Sequence, residues 1–130
     1  MNILGDQLNT DPRFNASTGW SNVGAGNAWD IAGDGAAVQR GTEDPGTSTR
    51  AFAATQDGER DFLVIMHIDA GTTGNVKALV QPSGIGTART APGTYAEIMT
   101  VTDAVSCQLW TSNSGDLRVT LFEVFEVIAV

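Results

Sequence analysis

The chain has 130 residues, a formal net charge of −8, 42% hydrophobic and 17% charged residues. That length suits one domain with a sizeable core, so 1–130 is read as a single unit. Seven scattered basic residues against fifteen acidic ones argue against nucleic acid as a partner. No run of eighteen apolar residues occurs and the first fourteen residues carry no basic, apolar leader, so neither a membrane span nor export is expected.

In chain order, the first half offers short apolar islands, Phe14, Trp20, Trp29-Asp30-Ile31 and Ala36-Ala37-Val38, separated by Gly, Asn and Ser. Residues 42–49 (TEDPGTST) read as an exposed loop. Residues 50–56 (RAFAATQ) read as a strand with Phe52 and Ala54 on one side, and 55–60 as a turn through Asp57-Gly58. In 61–69 (DFLVIMHID), Phe62, Val64, Met66 and Ile68 share one face while Leu63, Ile65 and His67 share the other. Both faces are largely apolar, so this strand is expected to be central and covered on both sides. A turn at 70–74 (AGTTG) then predicts a hairpin with the next strand, where Val76, Ala78 and Val80 oppose Lys77, Leu79 and Gln81.

Beyond the Pro92-Gly93 turn, Tyr95, Glu97, Met99 and Val101 oppose Ala96, Ile98, Thr100 and Thr102. After a break at 102–104, Val105, Cys107 and Leu109 alternate with Ser106, Gln108 and Trp110. These predict two half-buried antiparallel strands, whose threonines suit a pleated, partly wet surface. The closing segment 117–130 changes phase: Leu117, Val119 and Leu121 keep one, Phe122, Val124 and Ile128 the opposite one. Either a bulge shifts the phase, or both faces are covered, within the domain itself or with one face packed on another protein chain. In the last case Phe122, Val124, Phe125 and Ile128 are the docking residues. Many short strands, frequent turns and no helical period predict an all-β antiparallel β-sandwich, a jelly roll.

The chemistry is sparse. His67 is the sole histidine and falls in mid-strand, the carboxylates fall mostly in turns, and no metal-ligand spacing or phosphate loop is present. Cys107 is the single cysteine, read as a small buried hydrophobe. No enzymatic activity, cofactor or metal is expected. Trp110, Trp20, Trp29 and Tyr95 are the candidates for sugar recognition, because a pyranose ring can stack on an exposed aromatic face. The competing reading makes the tryptophans core fillers or subunit contacts. Trp110, beside the 111–115 turn, is the one expected to be exposed.

The order Asp11-Pro12-x-Phe14, Gly19-Trp20, Gly26-x-x-Trp29-x-Ile31, an apolar strand at 62–68, Gly93-Thr94-Tyr95, a strand ending near Trp110 and a long Val-rich closing strand resembles the jelly-roll modules of the carbohydrate-binding, galactose-binding-like type. Such modules recur in the virion structural proteins of tailed bacteriophages. The resemblance implies a non-enzymatic virion component made in the host cytoplasm, foremost a capsid decoration protein touching the major capsid or other virion proteins. It also implies a homo-oligomer, with a trimer as the expectation from analogy. The alternative is a carbohydrate-binding module that aids adsorption to host glycan. Calcium-binding members carry an Asp in the closing strand, where this chain has Phe122, so no metal site is expected.

Overall fold

Alternation of apolar and polar residues commits most of this chain to strands. The structure, a computed structural model, describes residues 3–16, 19–24, 29–39, 46–111 and 115–129. Among them nine strands form: β1 (Ile3–Gln7), β2 (Ser21–Gly24), β3 (Trp29–Ile31), β4 (Ala37–Gln39), β5 (Gly46–Ala70), β6 (Lys77–Gln81), β7 (Gly84–Ile85), β8 (Gly93–Thr111) and β9 (Arg118–Ala129). Every pairing is antiparallel, in the order β3-β4-β9-β5-β8-β6-β7, with β1 also on β9 and β2 also on β5. The fold is an all-β jelly-roll sandwich.

The strands are fewer and longer than the turn signals imply. β5 runs 25 residues and β8 runs 19, and together they make one long ladder that serves both layers. Residues 59–68 of β5 pair with 93–102 of β8, and 62–70 pair on the other side with β9; residues 46–51 pair with 106–111 of β8, and 46–49 with β2. Between these halves the register shifts twice. Gly58 (φ 83°) and Asp103 (φ 54°) take the left-handed conformation there, and the Gly58 N–H donates to Asp103 Oδ1 at 2.7 Å. Asp57-Gly58 is therefore a bulged corner that carries the chain from one layer to the other, and the expected chain reversal at 55–60 is corrected. The break at 102–104 is the other side of the same corner, so the two expected strands are halves of β8. The expected loop at 42–49 is corrected at its end, since 46–49 belong to β5; its earlier residues lie outside the described residues.

Residues 61–69 are central, flanked by β8 and β9. Their expected hairpin partner is elsewhere: β6 pairs with β8 and β7 in the other layer. Phe62, Val64, Met66 and Ile68 of β5 meet Ala78 and Val80 of β6, Cys107 and Leu109 of β8, and Trp29 and Phe14 in the core. Each such side chain contributes on the order of 1.5–3 kcal/mol by leaving water.

The phase change in the last strand is a bulge. His67 faces Leu121 and Ile68 faces Val119, which leaves Thr120 as the extra residue. Val119, Phe122 and Val124 all point into the core as a result, with no exposure. Two of the four expected docking residues, Phe122 and Val124, are thereby corrected to core residues; Phe125 is half-buried on the outer face and Ile128 is exposed. β4 and β1 occupy the free side of β9 at its two ends. Asn9 fills the gap between them: its Nδ2 donates to the Phe122 carbonyl at 2.6 Å and its Oδ1 accepts from the Val124 N–H at 2.9 Å. A buried side-chain amide here stands in for the missing strand.

Candidate functional site

The outer side of β6 and of residues 106–111 of β8 mixes polar and apolar groups among the described side chains. In β6, Ala78 and Val80 turn inward, so Lys77, Leu79 and Gln81 turn outward. In β8, Cys107, Leu109 and Thr111 turn inward while Gln108 and Trp110 lie half-buried on the outer side, and Ser106 is buried. Pairing sets Lys77 opposite Trp110, Leu79 opposite Gln108 and Gln81 opposite Ser106. The Lys77 ammonium lies 4.8 Å from the centre of the Trp110 ring, a cation–π contact. Gln81 Nε2 donates to Gln108 Oε1 at 2.9 Å, a bond that uses one of the four amide protons of the pair. An indole, an ammonium and two amides thus share one sheet surface.

Gln39 of β4 anchors the end of that surface. Its Nε2 donates to the Asn75 carbonyl at 2.6 Å and to Thr111 Oγ1 at 2.9 Å, and its Oε1 accepts from the Leu117 N–H at 3.2 Å. These bonds fix the residue after Trp110 and the segment just before Lys77. Gly74 (φ 98°) and Gly115 close around the Gln39 amide, and a Cβ at either would strike it. Asp116 braces the same corner by accepting from the N–H groups of Thr72 and Thr73 at 2.8 Å each. Those backbone bonds, Thr73 first, hold its carboxyl below the ordinary value.

The four aromatic candidates are not brought together. Trp29 has no exposure and is a core filler, which corrects its candidacy as a sugar platform. Trp20 packs on Phe14 with ring centres 5.1 Å apart, donates its indole N–H to Asp11 Oδ2 at 3.1 Å and lies under Arg50. It closes the 11–16 loop, whose Asp11 also accepts from the Asn15 N–H at 2.6 Å. Tyr95 belongs to the half of β8 in the other layer, where its hydroxyl donates to the Ala91 carbonyl at 2.6 Å and Arg89 stacks 4.6 Å from its ring. Trp110 alone of the four stands on an outer sheet face beside polar groups. Its neighbouring turn at 112–114 lies outside the described residues. Lys77, Gln81 and Gln108 escaped sequence reasoning: alternation put them outward, but the pairing of β6 with β8 was not foreseen.

The other layer has a different outer face. Across its strands Ile98, Leu63 and Phe125 form one row, and Ala96, Ile65 and Glu123 the next. Polar pairs border them, with His67 Nδ1 2.7 Å from Thr94 Oγ1 and the Thr100 hydroxyl donating to Asp61. Ile98 is 54% exposed.

Cys107 lies in the core, and burial pushes its thiol up to about 12. The reactive thiolate is therefore not formed at ordinary pH. Native protein is expected to stay unlabelled by a thiol reagent at about pH 8 and to react with one equivalent once unfolded in guanidinium; rapid labelling of the native chain would show that the corner beside Cys107 opens.

No family model and no curated relative matches the sequence. Solved structures do match in fold. The carbohydrate-binding module TmCBM61, in complex with beta-1,4-galactotriose, is 11% identical with a TM-score of 0.58, over 94% of this chain and 99% of that one. A mutant of a family 29 carbohydrate-binding module is 16% identical with a TM-score of 0.52, over 97% of this chain and 92% of that one. The enzymatically active domain of bacteriophage CBA120 tailspike protein 4 is 11% identical with a TM-score of 0.54, over 92% of this chain and 22% of that one. The chain thus has the jelly-roll fold of carbohydrate-binding modules, and that fold also occurs within a phage tailspike.

Proposed function

We propose that this chain is a non-catalytic carbohydrate-binding module whose platform is Trp110 with Lys77, Gln81 and Gln108. The observation that carries the reading is the Trp110–Lys77 pair on an outer sheet face, beside a hydrogen-bonded glutamine pair. A sugar ring stacks its C–H face on the indole while ammonium and amide groups bond to its hydroxyls. The fold likeness to a module in complex with beta-1,4-galactotriose supports the same reading.

Titration of the purified chain with oligosaccharides, beta-1,4-galactotriose among them, should shift tryptophan fluorescence saturably. Trp110→Ala should weaken binding at least about tenfold, whereas Trp20→Phe should leave it within a factor of about two. Retained binding in Trp110→Ala overturns the platform.

A second reading, a structural component of a tailed-phage particle such as a capsid decoration protein, is favoured by the tailspike likeness and by the apolar outer row Ile98–Leu63–Phe125. Its partners would be virion proteins and its place the capsid surface. A chain indifferent to every glycan offered, yet co-sedimenting with phage particles, would support this reading over the first.

A further inference from the structure

Over residues 93–102, β8 has β5 as its one ladder partner among the described residues; β6 joins only at 106–110. The layer therefore ends there in an open strand edge of ten residues, with backbone N–H and C=O groups available for pairing. Proteins guard such edges with a lysine, a proline, a bulge or a covering segment. This one carries neither Lys nor Pro, and its register with β5 is unbroken from Gly93 to Thr102. The segment that passes nearby, 86–89, bonds to β6 and to the inward side chain of Glu97, not to the β8 backbone.

We propose that this edge pairs with the same edge of a second copy, joining two sandwiches through one continuous antiparallel sheet. Charge selects the occupant. The chain carries −8 overall, yet the outward residues of the edge, Thr94, Ala96, Ile98, Thr100 and Thr102, are uncharged, so two copies meet here without opposing acids. Asp61 sits one strand back and is bonded by Thr100, while Glu97 points inward to Arg89 and Thr87.

Register follows from the apolar row. A two-fold axis at Ile98 sets Ile98 against Ile98 of the second copy, Ala96 against Thr100 and Thr94 against Thr102. The row Phe125–Leu63–Ile98 then runs on into its counterpart, six apolar side chains across the joined sheet, flanked on each side by an Ala96–Thr100 pair and, beyond it, a Thr94–Thr102 pair. The Trp110 face belongs to the other layer and stays open, so the pairing holds whether or not that face binds sugar.

Sedimentation velocity on the full chain across a concentration series tests this, with circular dichroism as the folding control. Wild type should reach twice the mass of one chain. Ile98→Lys, which places two ammonium groups side by side at the axis, should weaken association at least about 100-fold. Ile98→Thr keeps a strand-forming, uncharged residue and should weaken it less than about tenfold. Amide exchange on the wild type supplies a readout free of substitutions: protection over 93–102 should rise with concentration. A monomer at every concentration, a trimer, a dimer untouched by Ile98→Lys, equal loss in both variants, or concentration-dependent protection confined to β9 would each overturn the edge pairing.

Discussion

Phe122→Ala is expected to lower the unfolding free energy by about 3–5 kcal/mol, read as a fall in the urea midpoint at unchanged slope. The side chain is fully enclosed by the core, next to Asn9's bonds on the same strand, and its removal leaves a cavity that two shared layers cannot collapse into. Since a domain of this kind is stable by only about 5–15 kcal/mol, the loss is a large share of the total. Phe125→Ala, three residues on and half-buried on the outer face, should cost less than about 1.5 kcal/mol. If the two substitutions cost the same, the inward phase assigned to Phe122 is wrong.

Gln39→Leu is the second large effect. Leucine matches the bulk of glutamine but gives up the bonds to the Asn75 carbonyl, the Thr111 hydroxyl and the Leu117 N–H at the corner where β4, β8 and residues 71–75 meet. Losing buried hydrogen bonds without replacement costs roughly 1–3 kcal/mol each, and a total of about 2–5 kcal/mol is expected. The variant should also bind oligosaccharide more weakly at a temperature where it remains folded, because Thr111 and Asn75 hold the strands that carry Trp110 and Lys77. A stability loss with undiminished binding would separate the anchor from the platform.

Strand phase was legible in the sequence; strand partnership was not. The alternation in 61–69, 76–81 and 95–101 separated the residues that share a face, because side chains on a strand must alternate, whereas at 105–106 the phase is the reverse of the expected one, with Val105 exposed and Ser106 buried. The phase change near Leu121 was visible too, and one extra residue, Thr120, accounts for it. What failed was the meaning of Asp57-Gly58 and Thr102-Asp103. Such residues favour the left-handed backbone both in a hairpin and in a bulged corner, and the bond between Gly58 N–H and Asp103 that decides the matter joins residues 45 apart in the chain. The same ambiguity hid the platform. Lys77, Gln81 and Gln108 were read outward but on strands assigned to different partners, so Trp110 stood without its neighbours. Trp29 shows the opposite limit: its burial depends on the whole sandwich closing over it, which no local pattern encodes.

Because β5 and β8 each run through both layers, neither layer can melt while the other survives. Opening 106–110 strips partners from 46–51, and fraying there loosens the corner that sets 59–68 in register. Deep amides in 62–68 and in 107–109 are thus expected to exchange only through global unfolding, with one common free energy, and force applied across the sandwich would meet a single barrier in place of two successive ones.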